Sequence, residues 1–264
     1  MIPPEPPDKE ECSVKRISAL LLCALLLCAM LTACGKKKTD GAWVIAVDND
    51  FAPFSSADEN GDLVGMNVEL LTAIAADQGF SYELRGSDWN GAVGAFTSHQ
   101  AQVLMGSITA TQERMDEGWS FSDSYFDGVT QIMAMEPGSD TNTLSDLAGK
   151  GVAVVSGSLG AAYAESLKDE YGFSVATFND SHTMYKNVLS GRLAACFEDT
   201  LALQQSIDSG VALEIVEESE SSPVGYCVCV RDEENLPFLE LFNAGLANIR
   251  ANGTYDRIVS KYIQ

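Results

Sequence analysis

The sequence predicts an α/β fold built mainly on parallel strands. Three observations carry that prediction. From about Gly41 onward, short apolar segments with strand character alternate with segments of helical periodicity. The 224 residues from there to the end are many for one open sheet and comfortable for two lobes. The composition, 46% hydrophobic and 20% charged, is that of a globular chain rather than a disordered or polytopic membrane one.

The first forty residues read as a targeting segment. Lys15-Arg16 precedes an apolar run of 15 residues, Ile17 to Leu31, too short for a comfortable membrane span and right for a signal-peptide core. The run ends in Leu31-Thr32-Ala33-Cys34-Gly35, which resembles the bacterial lipobox, in which the Cys is lipidated and becomes the mature N-terminus. Residues 1–33 are therefore expected to be a signal peptide. Cys34 is the expected lipidation site, and 34–41 a tether. A plain secretory signal with an incidental Cys is the alternative.

The fold then unrolls in order. Trp43–Val47 is a short apolar strand, and Asp58-Glu59-Asn60-Gly61-Asp62 a turn. A helix near Asn67–Gln78 follows from the spacing of Val68, Leu71, Ile74 and Ala75. Ser81–Leu84 returns as a strand, Gly91–Gln100 is helical, and Val103–Met105 is a strand. Thr111 is placed to cap a short helix through Arg114. The pattern restarts with a helical turn at Leu144–Leu147 and a strand at Gly151–Val155. Ser158 caps a helix to about Tyr171. Ser174–Phe178 is a strand, Ser181–Leu189 a helix, Ala194–Phe197 a strand, and Thr200–Ile207 a helix. After Ser219–Pro223 comes the strand Tyr226–Val230, then helices near Leu236–Asn252 and Thr254–Tyr262.

Composition excludes several functions. Acidic side chains outnumber basic ones 38 to 16, a net charge of −22, and only 13 basic residues follow Cys34. Nucleic-acid binding needs clustered Lys and Arg to displace counterions, so no nucleic-acid partner is expected. Two His residues leave little for a metal site. The Asp58–Asp62 run fails the EF-hand pattern, because position 6 from Asp58 is Leu63 rather than Gly. No phosphate-binding glycine loop or nucleophile elbow occurs, so no cofactor is expected. Three cysteines remain beyond Cys34: Cys196, Cys227 and Cys229. An odd count is no disulfide framework, and they read as buried thiols, Cys227 and Cys229 on one strand face.

Ordered motifs carry a resemblance. They are Val47-Asp48-Asn49-Asp50-Phe51-Ala52-Pro53-Phe54, Gly61–Glu69, Asp88-Trp89-Asn90-Gly91, Gly106-Ser107-Ile108-Thr109-Ala110-Thr111-Gln112-Glu113-Arg114 and Phe121–Tyr125. Then come Ser156-Gly157-Ser158, Gly191-Arg192 with Asp199, and Ala251–Asp256. In this order the chain, from about Trp43 to Ile263, resembles the family 3 extracytoplasmic solute-binding proteins, the amino-acid-binding lipoproteins of ABC importers. The resemblance implies a two-lobe periplasmic-binding-protein-like fold with two crossover hinge strands. Lobe 1 would be 42–128 plus 224–264, and lobe 2 131–220. It also implies capture of a free amino acid by a monomer. That monomer is lipid-anchored outside the cytoplasmic membrane and serves an importer's permease and ATPase. Gln102 and Ala194 stand where the family usually has Asp.

The chemistry of the motif residues points the same way. An amino acid presents a carboxylate and an ammonium. Arg114, beside Ser107 and Thr109, offers a planar guanidinium to the carboxylate, at a helix start whose N–H groups also favour an anion. Ser158 opens a second such helix. Asp199 follows a strand at its C-terminal end, where ligands of open α/β sheets sit, and would take the ammonium; a plain helix cap is the alternative. By resemblance, Phe51 and Trp89 sandwich the ligand side chain, with Asp48, Asp50 and Glu198 near the same cleft.

Binding is the expected function and the chain is not expected to be an enzyme. A dehydratase-like enzyme on this fold would need an acid–base pair, and Glu198 has no His or Lys partner in the motifs. A ligand-sensing domain would need a membrane segment and output domain after residue 264. Asp48 and Glu198 near the pocket favour a cationic or strongly donating side chain such as Arg, Lys, His or Gln. If Glu198 instead faces solvent and Asp48 bonds locally to backbone N–H groups, the ligand's polarity stays open.

Overall fold

The computed structural model describes residues 41–219 and 225–263. The expected signal peptide, Cys34 and all but Gly41 of the tether lie outside them. The elements belong to one unit, Trp43–Gln264. β1 (Trp43–Asp48) buries its last four residues and pairs in parallel with both β5 (Tyr82–Ser87) and β6 (Val103–Thr109). Between β1 and β5 lie a small antiparallel sheet and a helix. The small sheet is β2 (Asp50–Phe51), β3 (Ser55–Ala57) and β4 (Leu63–Val64). The expected turn joins β3 to β4: the Asp58 carboxylate accepts the N–H groups of Asn60 and Asp62, which explains the acidic run without calcium.

Helix α1 (Met66–Gln78) ends at Gly79 in the left-handed conformation. Its buried stripe runs through Met66, Leu70, Leu71, Ile74 and Ala75; Val68 lies beside it, half-buried. Helix α2 (Trp89–Thr97) starts two residues before the expected point, because the Asp88 carboxylate caps the Gly91 N–H at 2.7 Å. α3 (Gln112–Asp116) is capped by Thr111 as expected. β7 (Ser120–Phe121) then closes one edge of the first sheet, whose order is β5-β1-β6-β13-β7.

The second sheet has the order β10-β9-β11-β8-β12. Its strands are β8 (Gln131–Met135), β9 (Gly151–Val155), β10 (Ser174–Phe178), β11 (Ala195–Asp199) and β12 (Glu214–Glu218). α4 (Leu159–Tyr171), α5 (Ser181–Leu189) and α6 (Thr200–Asp208) cover it. β13 (Tyr226–Val230) returns to the first sheet, followed by α7 (Leu236–Ala251) and α8 (Thr254–Val259).

Neither sheet is wholly parallel, which corrects the expectation from alternation. β8 runs antiparallel to β11 and β12, and β13 antiparallel to β6 and β7. The reversed strands β8 and β13 are those by which the chain enters one sheet and re-enters the other. The reading along the chain had no element at β8 or β12. β8 is five residues, QIMAM, all buried, so it offers no alternation to read; β12 is an exposed acidic edge, EIVEE. The strand with Cys227 and Cys229 carries a register shift between them, so strict alternation fails there. Cys196, Cys227 and Cys229 are buried free thiols, and burial pushes all three up from the ordinary thiol range. Gln102, where the family usually has Asp, accepts the Val44 N–H at 3.0 Å and so ties β6 to β1.

Gly65 precedes α1 with φ +120, a region only glycine enters freely, and a Cβ there would stand 2.5 Å from the Phe54 carbonyl oxygen. Gly65→Ala should therefore cost on the order of 1–3 kcal/mol. Chemical denaturation showing unchanged stability would contradict this account of the β4–α1 junction.

Candidate functional site

The C-terminal ends of four parallel strands, two from each sheet, converge on one cleft of about 510 Å³ including its open mouth. β1 brings Asp48, β6 brings Ser107 and Thr109, β9 brings Val155, and β11 brings Glu198 and Asp199. Helix starts arrive beside them: Trp89 of α2, Leu159 of α4 after its cap Ser158, and Ser181 of α5 after its cap Asp180. This is the place where open α/β sheets leave room for a ligand, and the inward helix N-termini give it a favourable field for anions. All nine residues singled out from the sequence as ligand contacts line this cleft, and so does Asp50.

Among the described residues Arg114 is the only basic side chain in the lining. Its guanidinium donates to the Thr109 carbonyl at 2.9 Å and, from the other side of the cleft, to the Gly157 carbonyl at 2.8 Å. It lies over the Trp119 ring at 5.8 Å. Burial works against its charge. No carboxylate pairs with it among the described residues, so its charge is available to an anionic group. Ser107, buried beside it, has φ 58, an uncommon conformation for a non-glycine residue and one that recurs at binding sites. The Thr109 hydroxyl is buried with no partner among the described residues.

Five carboxylates face that one guanidinium: Asp48, Asp50, Asp180, Glu198 and Asp199. Asp48 accepts the Asp50 N–H at 2.9 Å, the local bond weighed as an alternative, yet it also lines the cleft. Burial pushes Asp48 up to about 7, against that bond, with Asp50, Asp88 and Asp180 adding repulsion. Glu198 is 3% exposed and does not face solvent. It accepts Ser181 Oγ at 2.6 Å, Tyr185 Oη at 3.4 Å and the Asp199 N–H at 3.0 Å. Burial first and Asp199 second hold Glu198 well above the carboxylate range. Asp199 is raised too, mainly by burial, while donors from Tyr226 and Gln131 pull it back. A site this rich in buried carboxylates is short of positive charge.

Asp199 begins α6 without capping it, since its oxygens are taken by Gln131 and Tyr226. The capping alternative is thus not what its side chain does. Ser158 does cap its helix, accepting the Ala161 N–H at 3.1 Å, and lines the cleft as well. Trp89 is buried across from Gly106, where a Cβ would come within 3.0 Å of its ring. Phe51 stacks on Phe54 with centroids 5.4 Å apart. The sequence reading missed Asp180, Ser181, Gly157, Gln131 and Tyr226. Asp180 was legible as a helix cap before Ser181-His182-Thr183, and Gly157 stands in the Ser156-Gly157-Ser158 motif; Ser181 and Tyr226 were read only as the first residues of a helix and a strand, and Gln131 gave no local signal. Among the described residues no group of three or more His, Cys, Asp or Glu is placed to hold a metal ion. No helix among them is long and apolar enough to cross a membrane.

The family model "Bacterial extracellular solute-binding proteins, family 3" matches residues 43–264. A probable histidine-binding protein of Neisseria gonorrhoeae is 27% identical, over 94% of this chain and 95% of its own length. The lysine/arginine/ornithine-binding periplasmic protein of Escherichia coli is 27% identical over 83% of this chain and 86% of its own. Among solved structures, an ancestral arginine-binding protein bound to arginine superposes with a TM-score of 0.77 at 30% identity, covering 85% of this chain and 99% of that one. The two-lobe α/β fold is shared with these proteins.

The carboxylates set a pH dependence with a definite sign. Asp48, Glu198 and Asp199 all titrate higher in the folded protein than their ordinary values of 3.8, 4.5 and 3.8. Each therefore contributes stability that is complete below about pH 4 and lost as pH rises through the folded values. The ligand-free protein should melt lower at pH 8 than at pH 5, by about 2–4 °C for each kcal/mol lost, and Glu198→Gln should flatten part of the slope. Melting temperatures that hold level or rise over that range would contradict the burial of these charges.

Proposed function

We propose that this chain, which belongs to the bacterial extracellular solute-binding proteins of family 3, captures a free amino acid with a cationic or strongly donating side chain and delivers it to an ABC importer. The observation that carries the reading is the cleft itself: five carboxylates and one guanidinium where strand ends and helix starts of two sheets meet. Arg114, Ser107, Thr109 and the N–H groups of α3 take the ligand carboxylate, with Ser158 opposite. Asp199 takes the ammonium. Phe51 and Trp89 hold the side chain between them, and Asp48 and Glu198 supply negative charge to it. The two relatives named for histidine and for lysine, arginine and ornithine, and the arginine-bound structure, support this choice.

In this reading the lobes are 42–128 plus 224–264 and 131–220, and they close over the ligand about the two crossovers. The protein is read as binding without chemical turnover, in line with relatives named as binding proteins; among the described residues no His or Lys lines the cleft. It acts as a monomer on the outer face of the cytoplasmic membrane, held by a lipid on Cys34, with the importer's permease and ATPase as partners.

Calorimetry across the amino acids tests the reading. Arginine, lysine, histidine or glutamine should bind more tightly than glutamate or leucine; the reverse order would sink it. Arg114→Ala or Asp199→Ala should weaken the best ligand at least roughly tenfold, since each leaves a buried ligand charge unpaired at a cost on the order of 2–5 kcal/mol. Mass spectrometry of the mature N-terminus from the native host should find Cys34 carrying lipid, and an unmodified Cys34 would remove the anchor.

A further inference from the structure

Asp199 stands where the two crossovers meet the sheets. It ends β11 in register with Gln131, the first residue of β8, at which the chain enters the second sheet. Tyr226 opens β13, at which the chain re-enters the first, and it forms an antiparallel bridge with Phe126. Gln131 is in turn tied to the outgoing chain by a backbone bond from the Ser219 N–H at 2.7 Å. Both entry residues reach back to Asp199: Gln131 Nε2 donates to one carboxylate oxygen and Tyr226 Oη to the other. An aspartate before a helix ordinarily caps it. Here the two donors hold the carboxylate away from α6, and it forms a wall of the cleft instead.

The surroundings oppose a negative charge on Asp199. Glu198 precedes it on its own strand, and Asp48 of β1 faces Glu198. Asp180 lines the same cleft from the start of α5, with Arg114 the single cation among the described residues. Tyr185 of α5 donates to Glu198 rather than to Asp199, and Tyr125 lies beside Tyr226. A second cavity of about 200 Å³, walled by Asp199, Tyr226, Phe54, Phe126 and Leu201, brings no charge but Asp199 itself among the described residues. Tyr226 and Gln131 are thus the side chains whose hydrogen bonds favour the ionised form.

We infer that Tyr226 and Gln131 are positioning residues that aim the Asp199 carboxylate into the cleft, keep it ionised for a ligand ammonium, and so tie the ligand's charge to both crossovers. This rests on the amino-acid-binding reading. It places a specificity element in the hinge rather than among groups that touch the ligand. The Tyr226 ring is fixed for the task, edge-on to Phe54 at 5.1 Å and stacked on Phe126 at 5.9 Å.

Tyr226→Phe keeps that ring packing and removes only the donor. Titration of the protein with L-arginine from pH 5 to pH 9 should show roughly tenfold weaker binding at pH 7, the effect of losing a hydrogen bond to a charged group. Without that donor Asp199 is protonated more readily, so the pH at which affinity fails on the acid side should move up by about one unit. Gln131→Met should act in the same direction. Tyr255→Phe, which loses a bond to the Tyr125 carbonyl away from the cleft, should lower the melting temperature without moving that limb. Carboxyl NMR of the ligand-free protein should show Asp199 titrating higher in Tyr226→Phe. Tyr226→Phe with wild-type affinity and an unmoved acid limb would overturn the inference and leave the binding reading standing. A wild-type protein that binds no amino acid would overturn both.

Discussion

The structure depends on one electrostatic constraint: among the described residues, several buried carboxylates share a cleft with a single guanidinium. An isolated buried carboxylate is costly, and the group either protonates or finds donors. Here both happen. Glu198 collects Ser181, Tyr185 and a backbone N–H, Asp199 collects Tyr226 and Gln131, and Asp48 collects one backbone N–H. None of these donors carries a full positive charge. The ligand-free cleft is therefore held below its best electrostatic state, and a cation entering it would relieve several groups together.

The folding pattern explains why that charge can be gathered in one place. β1, β6, β9 and β11 are buried on both faces along most of their length, and only their C-terminal ends open to the cleft. Polar residues at those ends cost the cores little. The helix starts that follow the strands supply capping groups and N–H donors from the same loops. The side of the first sheet brings Arg114 together with Asp48, and the other sheet brings Glu198 and Asp199, so negative charge lines both sides of the gap and positive charge one. The Arg114 bond to the Gly157 carbonyl already spans it.

Much of this was legible along the chain. Arg114 could be found because a buried strand, a capping Thr and a short helix follow one another within nine residues, Gly106 to Arg114. Ser158 and Asp199 were legible for the same reason, as polar residues at strand ends or helix starts. The strands β8 and β12 were not: one is a short uniformly buried run, the other an exposed edge, and neither alternates. Parallel alternation also hid the reversed strands, because direction depends on which sheet the chain is leaving. The roles of Gln131 and Tyr226 could not be read locally. They lie 68 and 27 residues from Asp199, and only the crossing of the two hinge segments brings them to it. The side-chain bonding of Asp199 was likewise open, since helix cap and cleft wall share the same sequence signature.

The central claim is that ligand charge completes an electrostatically starved cleft. Calorimetry of L-arginine binding at pH 7, repeated in buffers of different ionisation enthalpy, counts the protons exchanged on binding. Cleft carboxylates that are partly protonated without ligand should ionise when the cation arrives, so net proton release is predicted. Binding with no proton exchange, or with proton uptake, would contradict the account.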